Sequence, residues 1–406
     1  MRQSPVLISV FVIHFCLGAF FAWPSASRQI LHAPYSGWIF LAGVLMAVPV
    51  LAGAELIRSR IGKRLPVVLG GLFLGGGFSV GAIMGESLLS RIFFYGILGG
   101  AGIALAYVVS LYSALRWYPE RKGFASGIAS GGLLLGILFW DETAWGLLPF
   151  FEASPAGLSD IFMIFGVLIS AAVALGSISA VPPDENQFVS GPLDTSGTVP
   201  CRAPAGRLPG KVYFCALWFI IFFSFAAVFL ILDSLFAFGL DALSASGLET
   251  RIAAKVSLVS AFWFWIIAAS GSVTWGAFSD RLNHRPLLFA MFIAQTAVFF
   301  GFQFISSGAK GLILASCLIG FNFGGFLALF PLLAADSYGE RSFVSSYSLL
   351  FSALLAAAVF GLMVSSPLKG ILGIGGDPSR WMLLFAISGI FCLVSAVITL
   401  FLKRLQ

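Results

Sequence analysis

The sequence predicts an all-α membrane protein in which twelve transmembrane helices form two six-helix bundles. Of its 406 residues, 59% are hydrophobic and only 10% are charged, and the mean hydropathy is +1.00. A soluble domain carries about 25% charged residues, so this composition excludes a soluble fold. A spanning helix needs about 20 mostly apolar residues, and such stretches recur along the chain on both sides of one polar segment.

The predicted helices follow one another through short polar loops. The first apolar run is longer than the roughly 7–15 residues of a signal peptide, so we interpret it as a transmembrane helix. The predicted ranges are 6–30, 36–58, 66–86, 90–117, 124–150, 158–181, 212–240, 252–278, 286–306, 310–335, 343–366 and 380–402.

A proline-rich polar segment at 182–211 separates the two halves and is typical of a flexible linker. We therefore predict an N-terminal bundle at 1–181, a cytoplasmic linker at 182–211 and a C-terminal bundle at 212–406. Most of the 23 Lys and Arg residues fall on the side of the membrane that contains this linker. By the positive-inside rule, both termini are then cytoplasmic, in a plasma or inner membrane.

The stretch 95–136 shows the pattern of the chain most clearly, because two glycine-rich apolar helices flank a short basic turn at 116–123. Small residues let neighbouring helices approach closely in lipid. A second basic turn, SRIGKR at 59–64, follows the second helix, and a third, SDRLNHR at 279–285, follows the eighth. The matching positions of these last two turns predict two parallel repeats.

Three stretches resemble the major facilitator superfamily, and two of them resemble its oxalate:formate antiporter and monocarboxylate porter branch. These two are RWYPERKG with ASGIASG at 116–131, and NFGGFLALFPLLAADSYG at 322–339. The third, GAFSDRLNHR at 276–285, is similar to the superfamily loop G-x-x-x-D-R-x-G-R-R. The resemblance implies the major facilitator fold, with a substrate site between the halves near the bilayer midplane.

The chain departs from this branch at the positions that bind acids. Relatives usually carry a Gly-Arg pair in the eighth helix, where this chain has Gly271 and Ser272. The oxalate carriers have a Lys in the eleventh helix, where this chain has Leu354. In the first-half loop, Ser59 replaces the expected Asp. A dianion would face an apolar cavity without a counter-charge, at a cost of several kcal/mol.

Ionisable residues within the spans are candidates for function. His14 lies close to the midplane, where it is a proton acceptor, a substrate contact, or a neutral imidazole hydrogen-bonded to a neighbouring carbonyl. Asp141 and Glu142 are either a protonation site, a counter-ion for a cationic substrate, or water-exposed groups at the outer mouth. We interpret Asp233 as a cap or gate residue. We interpret Glu55 and Glu86, which lie near helix ends, as solvated or paired.

The remaining predicted site residues form two sets. Asp280 can accept hydrogen bonds from a helix N-terminus, and basic residues around it can pair across helices, which predicts a cytoplasmic gate. The gate residues are Arg60, Gly276, Asp280, Arg281 and Arg285. Polar residues at midplane depth predict a cavity lining that is also compatible with interhelical packing. These residues are His14, Tyr107, Ser110, Trp265, Ser270, Ser272, Asn322 and Tyr347.

The leading hypothesis is a secondary active transporter that works by alternating access on a small solute. The preferred solute is a monocarboxylate or related organic acid, with proton coupling as an option; the alternative is export of amphipathic or cationic compounds, or a transporter-like sensor. The chain has no nucleotide-binding P-loop, and its three histidines form no H-E-x-x-H pattern, so we expect no enzyme activity. We also expect no cofactor, no metal, no nucleic-acid partner and a monomer in the bilayer.

Overall fold

The computed structural model describes residues 3–27, 33–84, 87–147, 155–182, 210–232, 234–306, 308–374 and 380–402. Within these ranges the chain is helical and contains no strand. The long helices are α1 (Gln3–Ser27), α2 (Ala33–Ala52), α3 (Leu65–Met84), α4 (Leu88–Trp117), α5 (Lys122–Leu147), α6 (Pro155–Gly176), α7 (Lys211–Leu232), α8 (Thr250–Ser279), α9 (His284–Ile305), α10 (Ala309–Gly339), α11 (Ser342–Ile371) and α12 (Trp381–Phe401).

The predicted number of spans is confirmed. In the described part of the chain, eleven helices are long and apolar enough to cross a membrane, and α2 supplies the twelfth together with the short helix Ala54–Ile61. A bend of 60° separates these two segments. Pro49 lacks a backbone N–H and Gly53 stands at the break, and both residue types are known causes of helix kinks.

Two helices depart from the predicted ranges. The predicted helix 212–240 is divided, because α7 ends at Leu232 and a separate short helix covers Leu235–Ala245. The helix at Ala309 continues to Gly339, whose φ of 74° is outside the range of a helix and separates α10 from α11. Glycine adopts positive φ without steric cost, so this residue marks the turn between two spans.

Close glycine contacts bring the helices of the first half together. A Cβ atom on Gly100 of α4 would lie 1.9 Å from the carbonyl oxygen of Gly43 on α2. A Cβ on Gly75 of α3 would lie 2.3 Å from the carbonyl oxygen of Gly166 on α6. No side chain fits at these crossings, so the backbones themselves make the van der Waals contact that holds helices together in lipid.

Aromatic rings fill the core of the second half. Phe302 of α9 and Phe385 of α12 stack with ring centroids 4.1 Å apart, and Phe225 of α7 packs edge-on against Phe323 of α10 at 5.5 Å. The two halves meet mainly where α5 packs against α8. We call the end of the bundle that carries loops 61–65, 117–122, 279–284 and 339–342 the basic face, and the other end the opposite face.

We predict that Gly100→Ala destabilises the protein, since the new methyl group collides with the backbone of α2. Overpacking of this kind costs about 1–3 kcal/mol, so the apparent unfolding temperature in detergent falls by several degrees. Gly76→Ala is the matched control, because no atom lies within 4 Å of a Cβ at Gly76. Equal unfolding temperatures for the two variants would contradict the crossing of α2 and α4.

Candidate functional site

His14 is completely buried at the centre of the first half. It lies eleven residues into α1, about 16 Å from the start of that helix at 1.5 Å per residue. Its Nε2 atom is 3.0 Å from the hydroxyl oxygen of Ser110 on α4. The other ring nitrogen, Nδ1, has no hydrogen-bond partner. The backbone carbonyls of Tyr107 and Ala129 also lie beside the imidazole as acceptors.

Ser110 determines which role His14 takes in this bond. The serine hydroxyl oxygen lies 2.7 Å from the carbonyl oxygen of Ala106 and 3.0 Å from that of Tyr107, both on its own helix. A hydroxyl has one proton to donate, and these two carbonyls hold it. The hydroxyl oxygen then accepts from His14 Nε2–H. We assign this role of Nε2 from the hydrogen-bond network.

Tyr107 joins His14 to the second half of the protein. Its ring centroid is 4.7 Å from that of His14 on one side and 4.3 Å from that of Phe351 on the other. The Tyr107 hydroxyl has no hydrogen-bond partner. The hydroxyl of Tyr347, one turn before Phe351 on α11, lies near enough to interact with it, but the pair lacks the geometry of a hydrogen bond.

These five residues, His14, Tyr107, Ser110, Tyr347 and Phe351, form what we call the central cluster. A narrow crevice adjoins it in the second half, and it is too tight to hold a water molecule in this state. Apart from Tyr347, the crevice is lined only by apolar side chains, from α7, α10 and α11. They are Ile221, Phe225, Leu327, Phe330, Leu350, Phe351 and Leu354. The cluster and crevice therefore contain hydroxyl and imidazole groups but no carboxylate, Lys or Arg.

The structure brings together four of the eight predicted cavity residues: His14, Tyr107, Ser110 and Tyr347. Trp265 is half-buried against Phe323, whose ring contacts the crevice residue Phe225. It therefore lies one aromatic layer away from the crevice.

The other three predicted cavity residues differ in their surroundings. Asn322 of α10 is 6% exposed. Ser270 is exposed on α8 and donates to Ile266 of its own helix at 3.1 Å. Ser272 is buried in the contact between α8 and α5, where its hydroxyl donates to the carbonyl oxygen of Gly127 at 2.9 Å. The structure does not bring Ser270 or Ser272 to the central cluster.

The predicted acidic candidates lie away from the central cluster. Asp141 is half-buried and Glu142 is exposed, toward the end of α5 at the opposite face. Glu55 forms an ion pair with Arg58, in which Nε lies 3.0 Å from Oε2. Asp233 and Glu86 lie outside the described residues.

Asp280 connects the second half to the N-terminus of α5 in the first half. Its Oδ1 accepts from the backbone N–H of Gly123 at 2.6 Å, and its Oδ2 accepts from that of Phe124 at 3.0 Å. The first N–H groups of a helix have no partner within the helix and carry partial positive charge. Asp280 satisfies two of them across the boundary between the halves.

Glycines make this contact possible. A Cβ on Gly123 would lie 2.1 Å from the carbonyl oxygen of Gly276, and a Cβ on Gly276 would lie 2.3 Å from that of Gly123. One helix turn further along α5, Ser126 donates to the carbonyl oxygen of Ala328 on α10 at 2.7 Å. The N-terminal part of α5, residues 123–127, thus makes four hydrogen bonds to the second half.

The equivalent turn in the first half is different. Ser59 is exposed and donates only to Leu56 of its own helix, at 2.9 Å. The start of α11 instead meets the first half through stacking of Phe343 on Tyr112, with ring centroids 5.9 Å apart. The guanidinium groups of Arg58 and Arg116 lie 5.7 and 6.0 Å from the Tyr112 centroid. The first half therefore makes an aromatic contact, between Tyr112 and Phe343, at the position where the second half uses the carboxylate of Asp280.

The other predicted gate residues surround these contacts. Arg60 and Arg281 are exposed at the basic face. Arg285 lies 3.4 Å from the hydroxyl of Tyr213 on α7, where it donates within the second half. The halves are therefore closed against each other at the basic face through Asp280, the pair Gly123 and Gly276, and the ring pair Tyr112 and Phe343.

A family model described as Major Facilitator Superfamily matches residues 6–359. The chain belongs to the Major Facilitator Superfamily. This transporter is 24% identical over 356 residues to the uncharacterized MFS-type transporter YhjX of Escherichia coli (strain K12), covering 85% of this chain and 83% of the relative. It is 24% identical over 312 residues to the oxalate:formate antiporter of Oxalobacter formigenes, covering 76% and 70%. These matches confirm the resemblance expected from the sequence motifs.

Two further matches extend the comparison. The transporter is 22% identical over 432 residues to the apicoplast pyruvate carrier 1 of Toxoplasma gondii, covering 92% of this chain and 77% of the relative. The solved structure of the proton:xylose symporter XylE bound to 6-bromo-6-deoxy-D-glucose superposes with a TM-score of 0.69 at 15% identity, covering 99% and 96% of the two chains. The structural match confirms the predicted major facilitator fold.

We predict that Asp280→Asn opens the basic face. A hydrogen bond to a charged group contributes about 1.5–3 kcal/mol, and 1.4 kcal/mol corresponds to a factor of ten, so the open population rises about tenfold or more. The measurement is the distance between spin labels at the exposed positions Leu56 and Leu282, in a background without native cysteines.

Glu120→Gln is the control for Asp280→Asn, since it removes the same charge from an exposed residue of the turn before α5. We expect its distance distribution to match that of the parent. If Asp280→Asn also keeps the parent distribution, the carboxylate does not hold the halves together.

Proposed function

We propose that this transporter moves a small monocarboxylate or related organic acid across the membrane by alternating access. The observation that carries the proposal is the central cluster, in which the buried polar groups of His14, Tyr107 and Ser110 meet Tyr347 and Phe351 of α11 at the boundary between the halves. A chamber between two halves near the midplane is where transporters of this kind bind substrate. The relatives named for oxalate, formate and pyruvate support a small carboxylic acid as the substrate.

In this proposal, the two moving bodies are residues 1–181 and 212–406, joined by the linker 182–211. Opening of the basic face separates α5 from α8, which breaks the bonds of Asp280, and parts Tyr112 from Phe343. It also withdraws Phe351 from Tyr107. The central cluster then becomes accessible from the basic face. The contacts of Asp280, of Tyr112 with Phe343 and of Tyr107 with Phe351 therefore close the path to the cluster in this state.

The excess of Lys and Arg favours the basic face as the cytoplasmic side of a plasma or inner membrane. The structure then corresponds to the state that is closed to the cytoplasm. A proton or substrate gradient supplies the energy, and His14 is the candidate for proton coupling because it is the buried imidazole of the central cluster.

Export of amphipathic or cationic compounds is the second candidate. It is favoured by the crevice, whose aromatic and aliphatic lining suits an apolar body and offers no fixed cation for an acid. Asp141 and Glu142 would then attract a cationic group near the opposite face. An assay that presents amines and acids to the same proteoliposomes separates the two functions.

We predict that purified protein in proteoliposomes exchanges radiolabelled pyruvate or lactate for unlabelled acid in a counterflow assay. Ser110→Ala should reduce this exchange about tenfold or more, because His14 loses the partner that orients its ring. Ser113→Ala is the matched control, since Ser113 is equally buried one turn along α4 and bonds only to the carbonyl of Val109, at 3.1 Å.

The counterflow assay also contains the outcome that would refute the function. Exchange of lipophilic amines with no exchange of any of pyruvate, lactate, glycolate, acetate or formate would establish the second candidate. Equal rates for Ser110→Ala and Ser113→Ala would remove the central cluster from the transport path.

A further inference from the structure

The close contact between α5 and α8 fixes the register in which these two helices face each other. They run in opposite directions, and Gly123 of α5 lies against Gly276 of α8 near the basic face. Further along α5, a Cβ on Gly131 would lie 3.4 Å from the carbonyl oxygen of Ala269. Residues that lie further toward the opposite face on α5 therefore correspond to residues that lie equally far toward the start of α8.

Toward the opposite face, the side of α8 that meets α5 becomes uncovered. Phe262 and Leu258 lie seven and eleven residues before Ala269, so their side chains point within about 20° of its direction around the helix axis. Ala269 is 6% exposed, Phe262 is 41% exposed and Leu258 is 58% exposed. The two helices thus meet at the basic face and border a cleft between the halves at the opposite face.

One acidic and one basic side chain face this cleft at the same depth. Glu142 lies eleven residues beyond Gly131, three turns along the same face of α5. Its counterpart in the register is Leu258, and Lys255 lies one turn from Leu258 toward the start of α8. Glu142 is five residues from the end of α5, Lys255 is five residues from the start of α8, and both are exposed.

We propose that Glu142 and Lys255 form an ion pair between the halves when the opposite face closes, as the counterpart of Asp280 at the basic face. This inference rests on the alternating access of the proposed function and does not depend on the cargo. Asp141 precedes Glu142, and Arg251 lies one turn before Lys255. Each partner therefore has a neighbour of its own sign, which strengthens the attraction across the cleft.

The lysine side chain is long enough for this pair. Three residues along a helix correspond to about 4.5 Å, which is the offset between Lys255 and the residue opposite Glu142. A lysine ammonium sits on a flexible stem of four carbons, so it can bend along α8 by this distance to meet the carboxylate.

Closure of the cleft makes the pair necessary. While the cleft is open, both charges are hydrated, and an exposed ion pair contributes little to stability. When α5 and α8 come together at the opposite face, both side chains lose water, and a buried charge without a partner carries a large desolvation penalty. The pair therefore stabilises the state that is closed at the opposite face and has little effect on the state described here.

The experiment exchanges the two charges. Spin labels at the exposed positions Leu89 on α4 and Ile252 on α8 report the separation of the halves at the opposite face, in the full chain without native cysteines in nanodiscs. We expect long and short distances in the parent, with more of the short distance in Asp280→Asn, because that variant releases the basic face.

Lys255→Glu should lower the ratio of short to long distances about tenfold or more, because it places like charges across the closing cleft. Glu142→Lys should do the same. The double variant Lys255→Glu with Glu142→Lys should return the ratio to within about twofold of the parent, since it restores opposite charges. Acid exchange in the counterflow assay should follow the same order.

Lys310→Glu is the matched control. Lys310 is also an exposed lysine at the opposite face, but it lies at the start of α10 and not on α8. This variant changes the net charge as Lys255→Glu does, and we expect it to keep the parent distances. Recovery in the double variant separates a specific pair from a structural defect, because a second substitution would not repair a misfolded single variant.

The outcomes separate the ion pair from the proposed function. If Lys255→Glu keeps the parent distances, or if the double variant is as impaired as the single variants, Glu142 and Lys255 do not pair. Acid exchange that continues in either case leaves the proposed function intact. If the labels stay at one long distance in the parent and in Asp280→Asn, the opposite face does not close, and alternating access fails together with the pair.

Discussion

The contact between α5 and α8 is the constraint on which the rest of this structure depends. Gly123 and Gly276 meet backbone to backbone, at a separation that leaves no space for a Cβ on either side. This crossing sets the register of one half against the other. It places Asp280 at the N-terminus of α5 and Ser272 beneath Gly127, and it leaves the position of Ser272 too confined for a long basic side chain while the basic face is closed.

The interior that results is polar without being charged. Within the described ranges, the Lys and Arg side chains lie toward the ends of helices and in loops, while the central cluster relies on an imidazole and hydroxyl groups. In a low-dielectric interior, a polar atom without a hydrogen-bond partner is costly, because no water is present to bond to it. The donors and acceptors of the central cluster therefore decide which polar groups can bind beside them.

Apolar runs, basic turns and loop motifs were enough to predict the number of spans, the fold and four members of the central cluster. What they could not provide is the direction in which a side chain points. Ser270 and Ser272 lie at nearly the same depth in the membrane. Side chains two residues apart on a helix point in directions that differ by about 200° around its axis, and only Ser272 is buried. Phe351 was missed because it is one of 43 phenylalanines, and nothing local distinguishes the one that stacks on Tyr107.

The single non-helical residue Gly339 joins the two sides of the closure. α10 contains Ala328, which meets α5, and α11 contains Phe343, which meets α4, and the turn at Gly339 joins the two helices. The short turn between these helices ties the two contacts together, so that a displacement at one affects the other. If the halves separate as proposed, the turn makes both contacts part together, which disfavours partial openings through which ions could leak without cargo.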